Sequence, residues 1–201
     1  MAAAERIWTA ALVVIGDEIL SGRTQDKNIA QIALWLNLQG IRLVEVRVVG
    51  DTAVAIAEAV NTLRARHDYL FTTGGIGPTH DDITVDAIAG AVGVPVVVHP
   101  RARAMLERYY IGRGGITDAR LRMARVPEGA ELIENRMSGA PGIRWGNIFI
   151  MAGGRCFPRR SAAGWRRARW PTCSARPRRR IPAARSAAIP FFAKAGPGPI
   201  S

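Results

Sequence analysis

Cysteine is nearly absent from this chain. Cys156 and Cys173 are the only two, and both lie in a low-complexity stretch, so neither a disulfide framework nor a cysteine metal site is expected. No Cys–His, Ser–His–Asp or zinc spacing occurs. No apolar run approaches the ~20 residues that a membrane-crossing helix requires. No basic leader precedes the first apolar run, Ile7–Ile15, which follows Glu5 and reads as a buried strand and not as a signal peptide. A cytoplasmic protein is the expectation. The most abrupt absence is of acid. Residues 1–154 hold 16 Lys+Arg and 16 Asp+Glu, whereas residues 155–201 hold 12 Lys+Arg and no acid, so the whole net charge of +12 sits in the last segment.

What is present divides in the same place. A chain of 201 residues that is 48% apolar holds one ordinary domain plus a tail. Over residues 7–154, strand-like and helix-like stretches alternate. Ile7–Ile15 is a near-continuous apolar run. Gln25–Leu38 sets Ile29, Ile32, Ala33 and Leu36 on one helical face, and Gly40 stops that helix. Ile41–Val49 is β-branched and ends at Gly50-Asp51. Thr52–Arg66 carries an apolar stripe of Ile56, Ala57, Val60 and Leu63. A strand at Tyr69–Thr72, a helix over Asp81–Ala91 and a strand at Val94–Val98 follow. Arg101–Tyr110 and Ala119–Ala124 read as helices, and Glu131–Glu134 and Asn147–Met151 as strands. The alternation predicts an α/β fold, a mostly parallel sheet covered by helices on both faces. Ligands of such sheets lie beyond the carboxyl ends of the strands.

One run lies at such an end: Phe71-Thr-Thr-Gly-Gly-Ile-Gly-Pro-Thr-His-Asp-Asp-Ile-Thr84. Gly74, Gly75 and Gly77 allow close approach of backbone to a ligand, and their N–H groups can face an anion. Asp81 and Asp82, at the same turn, are suited to a divalent cation that accompanies phosphate. The plainer alternative is a tight strand-to-helix turn with Asp81 or Asp82 as its cap. Three glycines, Pro78 and the paired acids together favour the phosphate cradle.

Residues 155–201 break the periodicity. Arg, Ala, Pro, Gly, Ser and Trp dominate, with Arg178-Arg179-Arg180 as the densest cluster. Three readings stand. Clustered Arg with Trp165 and Trp170 suits a nucleic-acid arm. The composition also suits a plain disordered tail. The third reading is that this segment is not the natural reading frame. Codons for Arg155–Ser161, read two nucleotides late and with the codon before them, permit Pro-Val-Leu-Pro-Ala-Ala-Phe, a better turn and helix start. The coding DNA decides among them.

Four segments recur in order: Gly16-Asp17-Glu18-Ile19-Leu20-Ser21-Gly22 with Asp26 and Asn28; Val49-Gly50-Asp51; the glycine turn with His80-Asp81-Asp82-Ile83-Thr84; and Asn135-Arg136-Met137-Ser138-Gly139-Ala140-Pro141-Gly142 with Ile148–Gly153 behind it. Together they resemble the molybdopterin-binding domain shared by MoaB/MogA proteins, the N-terminal domain of CinA and a domain of eukaryotic FAD synthases. The likeness covers about residues 7–153. The spelling of the glycine turn resembles the CinA branch more than the MogA branch.

The resemblance implies a three-layer α/β/α fold and a pocket for a small phosphorylated ligand, a molybdopterin or a nucleotide. Carried across residue by residue, Gly16, Asp17, Glu18 and Ser21 line one side. Gly74, Gly75, Gly77, Thr79 and Thr84 cradle the phosphate. Asp81 and Asp82 hold Mg²⁺, and Ser138, Pro141 and Gly142 close the far wall. Asp82, Asp81 and Asp17 are the residues placed in any catalysis. Carboxylates beside a phosphate repel it unless a cation lies between, which agrees with the assignment.

Each residue also has an ordinary role open to it. Asp17, Ser21 and Thr84 suit local caps, and His80 suits a surface turn. Asn28 suits a polar position on its helix. His67 and His99 are expected to face solvent. Trp8, Trp35 and Trp145 are expected in the core or at its rim. Arg101, Arg103, Arg108 and Arg113 suit a solvated helix face.

The resemblance carries an expected chemistry of nucleotidyl transfer or pyrophosphate hydrolysis on a substrate such as ADP-ribose. A non-catalytic pterin- or nucleotide-binding module is the alternative, and an Arg-tailed nucleic-acid binder is the least favoured. Relatives imply a dimer or trimer, and no membrane partner is expected. The chain departs from the family after Gly153, where a further turn and helix normally follow. The tail is too short and irregular to encode the second, amide-hydrolysing domain that CinA proteins often carry.

Overall fold

The computed structural model describes residues 6–133, 135 and 139–153. The expectations placed on residues 155–201, and on Ser138, lie outside them. The first four elements follow the sequence reading closely. Strand β1 (Trp8–Ile15) leads to a single turn of helix, α1 (Asp17–Leu20), then α2 (Asn28–Leu38) and strand β2 (Ile41–Val49). Helix α2 starts three residues later than the periodicity suggests, because the Asp26 carboxylate accepts the Ile29 N–H at 2.8 Å and holds residues 25–27 outside the helix. Helix α3 (Ala53–Arg66) is capped by the Thr52 hydroxyl, which accepts the Ala55 N–H at 3.3 Å.

Strand β3 (Tyr69–Thr73) enters the glycine turn, and α4 (Thr84–Val92) leaves it. Helix α4 therefore begins at Thr84 and not at Asp81. The Asp82 carboxylate accepts the Thr79 N–H at 2.9 Å and the Thr79 hydroxyl as well, so residues 79–82 close on themselves before the helix starts. Neither acid serves as the helix N-cap, a position taken by Ile83. The rest comprises β4 (Val96–Val98), α5 (Pro100–Tyr110), α6 (Asp118–Leu121), a tight 3-10 turn at Arg122–Ala124, β5 (Arg125–Pro127), β6 (Glu131–Ile133), β7 (Gly142–Trp145) and β8 (Ile148–Met151). Strands β5 and β7 had no strand signature of their own. Each is short and is defined by its partner, β4 for β5 and β6 and β8 for β7.

The main sheet has six strands in the order β2-β1-β3-β8-β7-β6. Strands β2, β1, β3 and β8 run parallel, and β7 runs antiparallel to both its neighbours. Alternate residues of a strand face opposite sides. Ala11, Val13 and Ile15 of β1 pack with Ile56, Val60 and Leu63 of α3 and Ile88 of α4. On the other side, Phe71 of β3 meets Trp35 of α2 edge-on at 6.4 Å and stacks on Phe149 of β8 at 5.0 Å. Helices thus cover both faces, and the sheet is buried between them as a parallel sheet requires. Ala10–Ile15 are all within 2% of full burial. Among the described residues, no helix is long and apolar enough to cross a membrane.

The secondary expectations fare unevenly. Trp35 is 8% exposed and belongs to the core. Trp145 sits at the rim, its indole N–H donating to the Glu128 carbonyl at 3.0 Å. Both His67 and His99 depart from the solvent-facing expectation. His67 lies in a half-buried notch, 3.4 Å from the Glu45 carboxylate. His99 caps α5, its Nδ1 accepting the Arg101 N–H at 3.2 Å.

Candidate functional site

Parallel pairing of β2, β1, β3 and β8 brings the carboxyl ends of four strands to one edge. Gly16-Asp17 follows β1, Gly50-Asp51 follows β2, Gly74-Gly75 follows β3 and Ala152-Gly153 follows β8. Four segments far apart in sequence meet there because the topology leaves them no other place. Gly16 N–H donates to the Val49 carbonyl at 3.1 Å, and Gly74 N–H to the Met151 carbonyl at 3.3 Å. These bonds continue the sheet ladder one residue beyond the strands.

Asp17 and Asp51 bind each other's loops reciprocally. The Asp17 N–H donates to the Asp51 carboxylate at 2.9 Å, and the Asp51 N–H to the Asp17 carboxylate at 3.3 Å. A side chain at Gly50 would meet the Asp17 carboxylate at 2.6 Å, so glycine there leaves room for this exchange. Asp51 belongs to a recurring segment, yet nothing in its neighbours along the chain points to a role. Its cross-strand partnership with Asp17 is visible only once β1 and β2 are paired.

The glycine turn is fixed by contacts on both sides. Gly74 has φ 105°, and a Cβ on it would lie 2.0 Å from the Ile15 carbonyl oxygen, an overlap with main chain that cannot be relieved by a rotamer. A Cβ on Gly75, at φ 62°, would lie 2.2 Å from the Thr84 hydroxyl. Thr84 is fully buried. Its hydroxyl donates to the Gly74 carbonyl at 3.1 Å, and its N–H donates to the Gly75 carbonyl at 3.1 Å. Thr84 thus positions the turn from behind. Two buried threonines precede the turn, Thr72 and Thr73, whose hydroxyls have no hydrogen-bond partner.

Other expected residues fall into place around this edge. Glu18 is exposed and curls over Gly16, where a Cβ would meet its carboxylate at 2.7 Å. The Ser21 hydroxyl is exposed and committed locally, donating to the Glu18 carbonyl at 3.3 Å and accepting from the Arg23 guanidinium at 3.0 Å. Asp81 projects outward and pairs with His80 at 2.9 Å, the two side chains being 77% and 90% exposed. Asp82 turns inward: a Cβ on Gly77 would lie 2.7 Å from its carboxylate.

Gly77 and Asp82 open onto a cleft also lined by Arg122, Arg125 and Pro141. Asp86 lines it too, and its carboxylate is paired with the Arg125 guanidinium. Pro141, expected to close the far wall of a ligand pocket, lines this cleft. Gly142 opens strand β7, where a Cβ would make ordinary contact with Ile133 of β6 at 3.4 Å, so the sheet does not demand glycine there. The two arginines were not anticipated. They enter the cleft through the 3-10 turn and β5, neither of which carries a local motif.

Arg101, Arg103 and Arg108 are exposed along α5, where Arg103 pairs with Glu107 at 2.8 Å. They form the solvated face that their spacing suggests.

Among the described residues, no three His, Cys, Asp or Glu side chains gather as a metal-holding group. Mg²⁺ needs less than that from a protein, since one or two carboxylates with phosphate oxygens and waters satisfy its octahedron. Asp82 supplies one carboxylate with Thr79 on only one of its oxygens. Asp81 faces outward onto His80 and does not line the cleft, so the donor set offers one protein carboxylate, which fits a phosphate-borne Mg²⁺ and not an all-protein cage.

The model of the family described as "Probable molybdopterin binding domain" matches residues 11–156, which include β2, β3 and β8 and all of β1 but its first three residues. The chain belongs to this molybdopterin-binding domain family. A CinA-like protein of Desulfosudis oleivorans is 38% identical over 73% of the chain, which spans 34% of that relative. A protein of Aeropyrum pernix is 41% identical over 68% of the chain and is spanned over 50% of its own length. The chain thus spans half or less of these curated relatives. The crystal structure of the protein CinA of unknown function from Thermoplasma acidophilum aligns with TM-score 0.66 and 34% identity, covering 72% of this chain and 88% of that one. The family's α/β fold and the likeness to CinA both stand on these matches.

Proposed function

We propose that the chain binds a small phosphorylated pterin or nucleotide at the carboxyl edge of its parallel strands, with phosphate on the Gly74–Gly77 turn. The observation that carries this reading is the turn itself. Gly74 and Gly75 are held by main chain and by buried Thr84, and Gly77 opens onto a cleft with Asp82 at its side. A turn fixed in advance presents the N–H groups beyond Gly74, whose own N–H is taken by the Met151 carbonyl, to an anion with little ordering cost. The family description, with its reference to molybdopterin, supports a pterin ligand. The same glycine turn suits the diphosphate of an adenine nucleotide, so both ligand classes fit.

In this reading Asp82 holds Mg²⁺ against the phosphate, Asp81 joins it only by turning from His80, and Asp17 stands beside Asp51 on the neighbouring loops. The ion's contribution is to neutralise phosphate charge and make phosphorus open to attack. The residues of this chain do the remainder. Thr84 keeps the Gly74 carbonyl turned away from the ligand. Thr79 fixes the Asp82 carboxylate, and Asp17 and Asp51 order the two neighbouring loops. The chemistry suited to such a site is cleavage or transfer at a phosphoanhydride, as in nucleotidyl transfer or pyrophosphate hydrolysis of an ADP-ribose-like substrate.

Turnover of ADP-ribose and of ATP with Mg²⁺, measured for wild type and Asp82→Ala, tests the proposal. Turnover by wild type that falls at least about a hundredfold in the variant supports the catalytic form. Saturable binding without turnover supports a binding module instead. Absence of both turnover and binding for every phosphorylated probe ends the reading.

A further inference from the structure

Four charged side chains line the cleft beyond Gly77: Asp82, Asp86, Arg122 and Arg125. Three of them are already engaged. Asp86 and Arg125 neutralise each other across the first turn of α4 and the start of β5. Asp82 accepts two hydrogen bonds from Thr79. Arg122 differs. It is half-buried on the 3-10 turn, and no described carboxylate pairs with it. A guanidinium drawn partly out of water without a counter-anion is unfavourable unless a ligand supplies one.

The 3-10 turn gives Arg122 a defined position. Ala124 is fully buried beside Ala102 and Leu106 of α5, which anchors the turn to the core. The His99 N–H donates to the Ala124 carbonyl at 2.9 Å, and Arg125 begins the two-stranded ribbon with β4. Arg122 therefore stands on a backbone tied at both ends and lines the cleft together with Gly77 and Asp82.

We infer that Arg122 is a ligand-contacting residue that grips an anionic group, a phosphate of a diphosphate, extending from the glycine turn into this cleft. The assignment rests on the phosphate-binding reading proposed above. It divides the cleft by charge. Asp82 takes the metal side of a phosphate and Arg122 takes a free pair of phosphate oxygens, for which its planar fork is suited. The Asp86–Arg125 pair sets this division. Asp86 consumes the charge of the nearer arginine and leaves one unpaired cation.

Calorimetric titration of the full chain with ADP-ribose and Mg²⁺ tests this, comparing wild type, Arg122→Gln, Arg122→Lys and Arg108→Gln. Arg108→Gln removes an exposed cation from α5 and is expected to bind as wild type. Arg122→Gln is expected to raise Kd by about tenfold, and Arg122→Lys to recover part of that loss because charge returns without the fork. The wild-type advantage shrinks at high salt, which a purely structural effect would not do. Melting curves show whether each variant is folded, and Arg122→Lys carries the test should Arg122→Gln unfold. Wild-type binding with an unchanged Kd for Arg122→Gln, or for Arg122→Lys where only that variant folds, overturns this inference and leaves the phosphate cradle standing. No saturable binding of ADP-ribose by wild type overturns this inference, and the phosphate cradle falls with it only when every other phosphorylated probe also fails to bind.

Discussion

Two turns only a few residues apart, Gly74–Gly75 and Gly77–Asp82, are glycine-rich for different reasons. At Gly74 the neighbour that forbids a side chain is the main-chain oxygen of Ile15, and at Gly75 it is a fully buried threonine. At Gly77 the neighbour is the carboxylate of Asp82, held only by Thr79, which is itself exposed. The first turn is part of the sheet's end and cannot change without moving β1. The second is a local clasp, closed by two hydrogen bonds between residues three apart. Rigid backbone next to an adjustable carboxylate suits a phosphate site, where N–H groups must be fixed while the metal-holding group adapts.

The sharpest way to break this comparison is Gly74→Ala. The overlap with the Ile15 carbonyl and the positive φ predict a loss of about 3 kcal/mol, or failure to fold, in urea denaturation. Stability near wild type would show that the first turn is as adaptable as the second. Thr84→Val keeps the shape but removes the hydroxyl that bonds Gly74, leaving that buried carbonyl short of a donor. A cost of about 1–3 kcal/mol is expected by the same measurement. At the second turn Asp82→Asn should behave oppositely. Its melting temperature should stay near that of wild type, since the bond to Thr79 can persist, while Mg²⁺-dependent ligand affinity falls about tenfold in calorimetry.

The smallest effect lies away from the site and calibrates the others. Partial burial of Asp68 would raise its pKa. The Thr9 N–H at 2.9 Å, the Thr9 hydroxyl and the Arg6 guanidinium outweigh that and hold the carboxyl below its ordinary value. A depressed folded-state value means stability that is full above the unfolded value of ~3.9 and lost as pH falls through the folded one. Asp68→Asn should therefore cost stability at pH 7, and the difference from wild type should shrink as the pH is taken below that window. An equal difference at both ends would contradict an electrostatic origin for the effect.

Much of the molecule was legible in the chain. The apolar run of β1, the β-branched run of β2 and the stripe of α3 are local signals, and each element appears where those signals lie. The glycine turn was legible for the same reason, since three glycines and paired acids state a backbone requirement in consecutive residues. The start of α4 was less so. Asp81 and Asp82 look like first-turn residues, yet a carboxylate three positions from Thr79 closed a turn ahead of the helix. Strands β5 and β7 were not legible, because three or four residues have no periodicity and become strands only through their partners.

By itself, then, the sequence determined the succession of strands and helices, the backbone demand at Gly74–Gly77 and the family. Those depend on neighbours along the chain. Only the tertiary structure decided that Asp51 answers Asp17, that Thr84 holds the turn from behind, and that Arg122 lines one cleft with Gly77. Each is a contact between residues distant in sequence, and the identity of such a partner is set by strand order and helix packing. No local spacing encodes it.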